Sequence, residues 1–241
     1  ILGADITVTS SIIIAATKTI FFQKYKFIKS GSATIQFLGT VEAGRYQIFS
    51  GYSAGNIIGI FRNSEIYPEW WGMTTNQADV SINCAISATP GYTRGHTVSL
   101  ASGYYYTSAP IDLRGSLCRL KGAGTGSTVI YAVSGWTAPT WYSSQYYFSG
   151  GPMNGSYRPD YISGMLLMGG QTDGGASFMT GIQGVTVNAY YAVLSNPTKK
   201  VSGVHATGYI EENSIIEDIN ITNFNGFGIG IDTLQGTNTM N

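Results

Sequence analysis

Gly181-Ile182-Gln183-Gly184-Val185-Thr186-Val187-Asn188 and Ile215-Ile216-Glu217-Asp218-Ile219-Asn220-Ile221-Thr222 read as one strand written twice. Laid on each other, Ile182 meets Ile216, Val185 meets Ile219 and Val187 meets Ile221. In each copy branched apolar residues alternate with polar ones, the period of a strand with one covered face. Gly228-Ile229-Gly230-Ile231-Asp232 adds another alternating segment. Short strands that repeat without helices between them predict a β-solenoid, in which each coil buries its inward residues on its neighbours. The inward set is then Val185, Val187, Ile219, Ile221, Ile229 and Ile231. The outward set is Thr186, Asn188, Asp218, Asn220, Thr222 and Asp232.

Toward the amino terminus the same vocabulary continues. Asp5-Ile6-Thr7-Val8-Thr9 and Thr34-Ile35-Gln36-Phe37-Leu38 alternate, and Gly31, Gly39, Gly44, Gly51 and Gly55 punctuate at short intervals. Thr97-Val98-Ser99-Leu100, Gly103-Tyr104-Tyr105-Tyr106, Pro110-Ile111-Asp112-Leu113 and Leu117-Cys118-Arg119-Leu120-Lys121-Gly122 read as further strands. One helix interrupts them. Asp79 is placed to cap it, Ile82, Ala85 and Ile86 share a face at helical spacing, and Pro90-Gly91 ends it. Residues 134–163 are rich in Gly, Ser, Tyr and Trp without periodicity, which marks an excursion from the fold.

Composition agrees with strands and turns. Charged residues make up 11% of the 241 residues, against about 25% in an ordinary domain, while Gly (32) and Tyr (17) are abundant. Thirteen basic and thirteen acidic residues cancel, and no basic run exists to neutralise phosphates, so nucleic acid is not an expected partner. A neutral surface rich in rings and amides suits a glycan partner better, though it also fits a structural one. The longest apolar stretch, Ile12-Ile13-Ile14-Ala15-Ala16, is too short for membrane insertion. Ile1-Leu2-Gly3-Ala4-Asp5 lacks the make-up of a signal peptide, and both ends look cut, so the repeat is expected to continue past residue 241. Cys84 and Cys118 are too few for a disulfide framework and are expected as unbridged, buried thiols.

A family resemblance rests on residues 44–131. Tyr46-Gln47-Ile48-Phe49, then Ile66-Tyr67-Pro68-Glu69-Trp70-Trp71-Gly72, the helix, Val98-Ser99-Leu100 with Gly103-Tyr104-Tyr105, and Leu117 with Thr128-Val129-Ile130 resemble the amino-terminal region of pectate-lyase-superfamily proteins. That region recurs in phage tailspikes, tail fibres and capsule depolymerases. The resemblance implies an all-β fold, a right-handed parallel β-helix with one short capping helix over its amino-terminal mouth. Residues 1–66 would form a β-rich attachment or lead-in region and residues 67–241 the start of the β-helix. It further implies a virion tail protein, a homotrimer beside other tail proteins, that contacts host cell-surface polysaccharide and can carry depolymerase activity. The alternatives are a secreted, extracellular polysaccharide lyase or glycoside hydrolase, and a non-catalytic stalk or adhesin. Many members carry Gly-Asp-Gly and Asp-Asp-Thr before the capping helix. Here Met73-Thr74-Thr75-Asn76-Gln77-Ala78-Asp79 stands there, so only Asp79 remains.

The candidate chemistry is sparse. Glycoside hydrolysis needs two carboxyl groups about 5–9.5 Å apart. Asp218 and Asp232 are the catalytic candidates because alternation turns them outward, where acids also serve solubility. The Asn-Thr-Asp, Asp-Asp and Gly-His-Gly set of polygalacturonase-like hydrolases is absent. His96 and His205 have no metal-ligand spacing with the cysteines, so no metal and no cofactor is expected. Gly122-Ala123-Gly124-Thr125-Gly126 lacks the Gly-Lys-Ser ending of a phosphate loop and reads as a turn between coils. Trp136, Trp141, Tyr142, Tyr146 and Tyr147, with Tyr157 and Tyr161, cluster in the excursion, either as a glycan platform or as rings that pin the loop down.

Overall fold

The structure, a computed structural model, describes residues 1–59, 63–73, 77–88, 96–114, 117–138, 161–169, 176–177, 180–207, 209–210 and 214–232. The chain is mostly β, and every strand pairing among the described residues is parallel. Eight short strands come first: β1 (Ile6–Val8), β2 (Ile12–Ile14), β3 (Thr19–Phe21), β4 (Phe27–Lys29), β5 (Ile35–Phe37), β6 (Thr40–Glu42), β7 (Phe49–Ser50) and β8 (Ile57–Gly59). They pair as β1-β4-β7, β2-β5-β8 and β3-β6, so each third strand returns beside its predecessor. Side chains tie the returns together. Asp5 Oδ1 accepts from the Lys26 amide 21 positions on, and Asn63, 22 positions after Val41, bonds both its amide and its carbonyl. Phe22, Phe27, Phe37 and Phe49 fill the space between these sheets, with ring centroids 5.1–6.5 Å apart.

The join to the second half is a packed one. β9 (Glu65–Ile66) leads into a 3-10 turn, Pro68–Trp71, whose indoles pack on Phe49 at 6.5 Å (Trp70) and 5.1 Å (Trp71). Trp70 Nε1 donates to the Gly44 carbonyl at 3.0 Å. The helix α1 (Ala78–Ser87) buries Ile82, Ala85 and Ile86, the face expected from their spacing. It touches β8 on one side, where Ser87 Oγ accepts from the Gly55 amide, and the strands His96–Ser99, Gly103–Thr107 and Ile111–Asp112 of the second half on the other. Asp79 is not its cap. The N-cap is Gln77, and Asp79 sits inside the first turn, buried, accepting from the Ser108 amide at 2.7 Å. The lone carboxylate is thus used to fasten the helix to a neighbouring loop.

The remaining elements are β10 (His96–Ser99), β11 (Gly103–Thr107), β12 (Ile111–Asp112), β13 (Cys118–Lys121), β14 (Thr128–Ala132), β15 (Tyr161–Gly169), β16 (Ala176–Ser177), β17 (Gly181–Asn188), a second helix α2 (Tyr190–Ser195), β18 (Lys200–Thr207), β19 (Tyr209–Ile210), β20 (Ile215–Thr222) and β21 (Ile229–Asp232). A seven-stranded sheet runs β11-β14-β17-β13-β10-β9, with β20 also on β17, and curls as a half-barrel. A four-stranded sheet runs β12-β15-β18-β21. The doubled strand is real: Ile182 pairs with Ile216, Val185 with Ile219 and Val187 with Ile221. Val185 and Val187 are buried, as expected of inward residues. Ile229 departs from that expectation at 43% exposure. It pairs with buried Val204, so it continues an inward row, but no described strand lies beyond it. Cys84 and Cys118 are free and buried.

Candidate functional site

The bend in β17 builds the most distinctive surface. Its first half pairs with β13 and its second half with β14, and Gly184 between them has φ +65°. Directly above, between the pairs Gln183–Glu217 and Val185–Ile219, Asp218 takes φ +47°, a left-handed conformation that Asp tolerates better than most residues. The glycine run 122–126 turns around the same corner. Thr128 Oγ1 accepts from the Ala123 amide, and Gly124 donates its amide to the Gly184 carbonyl at 3.0 Å. Three layers therefore bend at one place, and the run is a turn, as its sequence implied.

At that corner lies an open depression of about 590 Å³ lined by Thr125, Gly126, Glu217, Asp218 and Asn220, with Ile216, Ile219 and Ile229 as its apolar share. Thr125 Oγ1 donates to Asp218 Oδ1 at 2.9 Å, and Gln183 Nε2 donates to Glu217 Oε1. Asp218 is exposed, in line with its expected outward direction. Asp232 ends β21, and its side chain lies outside the described residues. The two carboxylates that stand at the corner are chain neighbours, each already engaged by an uncharged donor. Such an arrangement holds hydroxyl groups well, since a carboxylate accepts several hydrogen bonds at once.

Beyond the bend, the outward rows of β11, β14, β17 and β20 are fixed by register. One row is Tyr104, Val129, Thr186 and Asn220; the next is Tyr106, Tyr131, Asn188 and Thr222. Tyr104 and Tyr106 stack at 6.1 Å and 16°, Tyr106 meets Tyr131 edge-on at 5.8 Å, and Tyr131 meets Tyr191 of α2 at 6.1 Å. Burial against protein, then the neighbouring hydroxyls of Tyr191, Tyr190 and Tyr106, raise the pKa of the Tyr131 phenol. The rings thus form one connected strip. Alternation in Gly103-Tyr104-Tyr105-Tyr106 carried the signal for it: Tyr105 is the buried member, and its neighbours face out.

The sequence-based platform fares differently. Trp136 is 1% exposed, so its ring offers no face to a sugar, which corrects its assignment to a glycan site. It is held at the end of β14, where Asn196 Nδ2 donates to its carbonyl at 3.2 Å. Trp141, Tyr142, Tyr146, Tyr147 and Tyr157 lie outside the described residues, as does the side chain of Tyr161. His96 and His205 are buried strand residues, His96 Nδ1 lying 3.0 Å from the Asn63 carbonyl. Among the described residues no three His, Cys, Asp or Glu side chains are grouped to hold a metal, and no helix is long and apolar enough to cross a membrane. Compared with protein-family models, curated proteins and solved structures, the chain matches none.

Proposed function

We propose that the chain is a right-handed parallel β-helix of the pectate-lyase-superfamily type, part of a virion tail fibre or tailspike that contacts host cell-surface polysaccharide. The winding is supported by the parallel pairing of all described strands and, within residues 6–59, by strands that return after 21 to 23 positions with short connections. Parallel neighbours require a crossover, and crossovers in one sheet are right-handed in about 98% of cases.

The observation that carries the functional reading is the outward face of β17 and β20. Gln183, Thr186 and Asn188 stand beside Glu217, Asn220 and Thr222 in register, opening at the bend onto the Asp218 depression. Ladders of amide, hydroxyl and carboxylate groups on a rigid parallel backbone match the dense hydroxyl pattern of a saccharide chain. The engaged state of Glu217 and Asp218 favours holding sugar over acid–base chemistry. The test is electrophoresis of the native protein through gels containing capsular and lipopolysaccharide extracts, with a reducing-end assay alongside. Retardation supports polysaccharide contact, and reducing ends would add depolymerase activity. Unchanged mobility in every extract refutes the reading.

A further inference from the structure

We propose that Tyr104, Tyr106, Tyr131 and Tyr191 form a platform for an uncharged, pyranose-rich stretch of glycan. This rests on the reading of the chain as a polysaccharide binder and names the part of the sugar that the protein grips.

Three observations carry it, together with the chemistry of a sugar face. Tyr104 stacks on Tyr106, edge-to-face contacts carry the strip on through Tyr131 to Tyr191 across three elements, and Tyr104 is 65% exposed, so an aromatic surface is offered to solvent. The surface is rigid: Tyr106 and Tyr131 are register partners, and buried Tyr105 between Tyr104 and Tyr106 locks their direction, its hydroxyl donating to the Ala101 carbonyl at 3.2 Å. Phenol rings with free edges suit a pyranose, which shows an apolar C–H face and a hydroxyl rim. The same register rows continue into Thr186, Asn188, Asn220 and Thr222, which supply donors and acceptors beside the rings.

Charge selects the sugar class. Neither row contains a charged side chain. The nearest outward charges of the sheet stand at or beyond the Gly184 bend: Lys121, Gln183 and Glu217 share one register row, Arg119 lies two residues before Lys121, and Asp218 sits at the bend itself. A uronate or sialate laid on the strip would find no counter-charge within either row. A neutral hexose or N-acetylhexosamine meets no such cost.

The test uses affinity electrophoresis of the whole chain through gels containing dextran, a β-glucan, galactomannan, polygalacturonate or alginate. The expected result is retardation by at least one neutral polymer. Tyr104→Ala with Tyr106→Ala should weaken it about tenfold, the scale of losing two aromatic contacts. Tyr106→Trp should retain it. Melting curves of the variants should match the wild type, because the rings stand outside the core. Retardation by anionic polymers alone overturns the neutral-glycan platform and leaves polysaccharide contact standing. Binding that survives the double tyrosine variant but is lost in Glu217→Gln with Asp218→Asn moves the grip to the depression and also overturns it. No retardation in any gel overturns the neutral-glycan platform, whereas the polysaccharide reading itself falls only if the capsular and lipopolysaccharide extracts also leave mobility unchanged. If the tyrosine variants lower the mass in light scattering, the strip is an interface between copies and the proposal fails.

Discussion

Trp136 shows how one residue's role depends on contacts far away in the chain. Its indole is buried, its backbone is gripped by Asn196 from 60 positions later, and its Nε1 has no hydrogen-bond partner among the described residues. Trp136→Ala should therefore cost about 3–5 kcal/mol in denaturant unfolding, the range for emptying a core aromatic site. Trp136→Phe should cost clearly less, since it keeps a ring and removes an unsatisfied donor. In the sequence this Trp is one aromatic among several in a Gly- and Ser-rich run, and nothing local distinguishes ring-in from ring-out. Asp79 makes a second residue-scale case. Burial raises its pKa above the usual carboxylate value of 3.8, against the bonds from Ser108 that lower it. A carboxyl with a raised folded pKa binds its proton more tightly folded than unfolded. Its contribution is thus fully present below pH 3.8 and is lost as pH rises through the folded pKa. Relative to wild type, Asp79→Asn should gain stability as pH climbs from below 3.8 to neutral. Chemical denaturation at the two ends checks it, and a gap that is constant with pH would refute the assignment.

At the scale of elements, the bend at Gly184 decides where the outward face lies. An alanine there would have φ +65° and place its Cβ 3.0 Å from the Gly122 carbonyl oxygen and 3.2 Å from the Gly124 amide. Gly184→Ala should cost at least about 1–2 kcal/mol, the penalty of a left-handed L-residue, seen as a lower denaturation midpoint with unchanged slope. The doubled strand around this glycine was legible because one face is covered and the other wet, so period two survives in the residues. β15 and β18 were not legible for the opposite reason. Residues 164–169 and 201–206 are buried on both faces, and Gly164-Met165-Leu166-Leu167-Met168-Gly169 therefore shows no alternation. The helix α2 escaped as well: six residues with only Ala192 buried carry too little pattern to stand out from the strands around them. The corner acid was found through its outward parity, whereas the tyrosine strip depends on which strands become neighbours. β11 meets β14, and β14 meets β17, only through returns of the chain that local periodicity does not encode.

Across the whole molecule, the first and second halves share one core through Phe49, Trp70, Trp71 and α1, and both ends of that core bear on assembly and unfolding. On the β2-β5-β8 sheet the outward row Ile13, Gln36, Ile58 presents two exposed isoleucines. If the proposed virion trimer forms through this row, light scattering should give three times the 25.8 kDa chain mass, and Ile13→Lys with Ile58→Lys should lower it toward one. A wild-type monomer at micromolar concentration argues against the trimer. The two thiols report on the core itself. Cys84 lies on α1 and Cys118 on β13, both buried, and burial pushes the Cys84 thiol up to about 11. Alkylation needs thiolate and access: the folded chain withholds access from both cysteines and, at Cys84, thiolate as well. Without reductant, intact mass should therefore show two adducts after unfolding and almost none before it. Since α1 packs on β10, and β10 pairs with β13, the same opening should release both cysteines. Following each thiol through a denaturant series tests that coupling. Coincident midpoints are expected of a stack in which each layer is held by its neighbours, and Cys118 reacting well before Cys84 would show that the sheet opens without the helix.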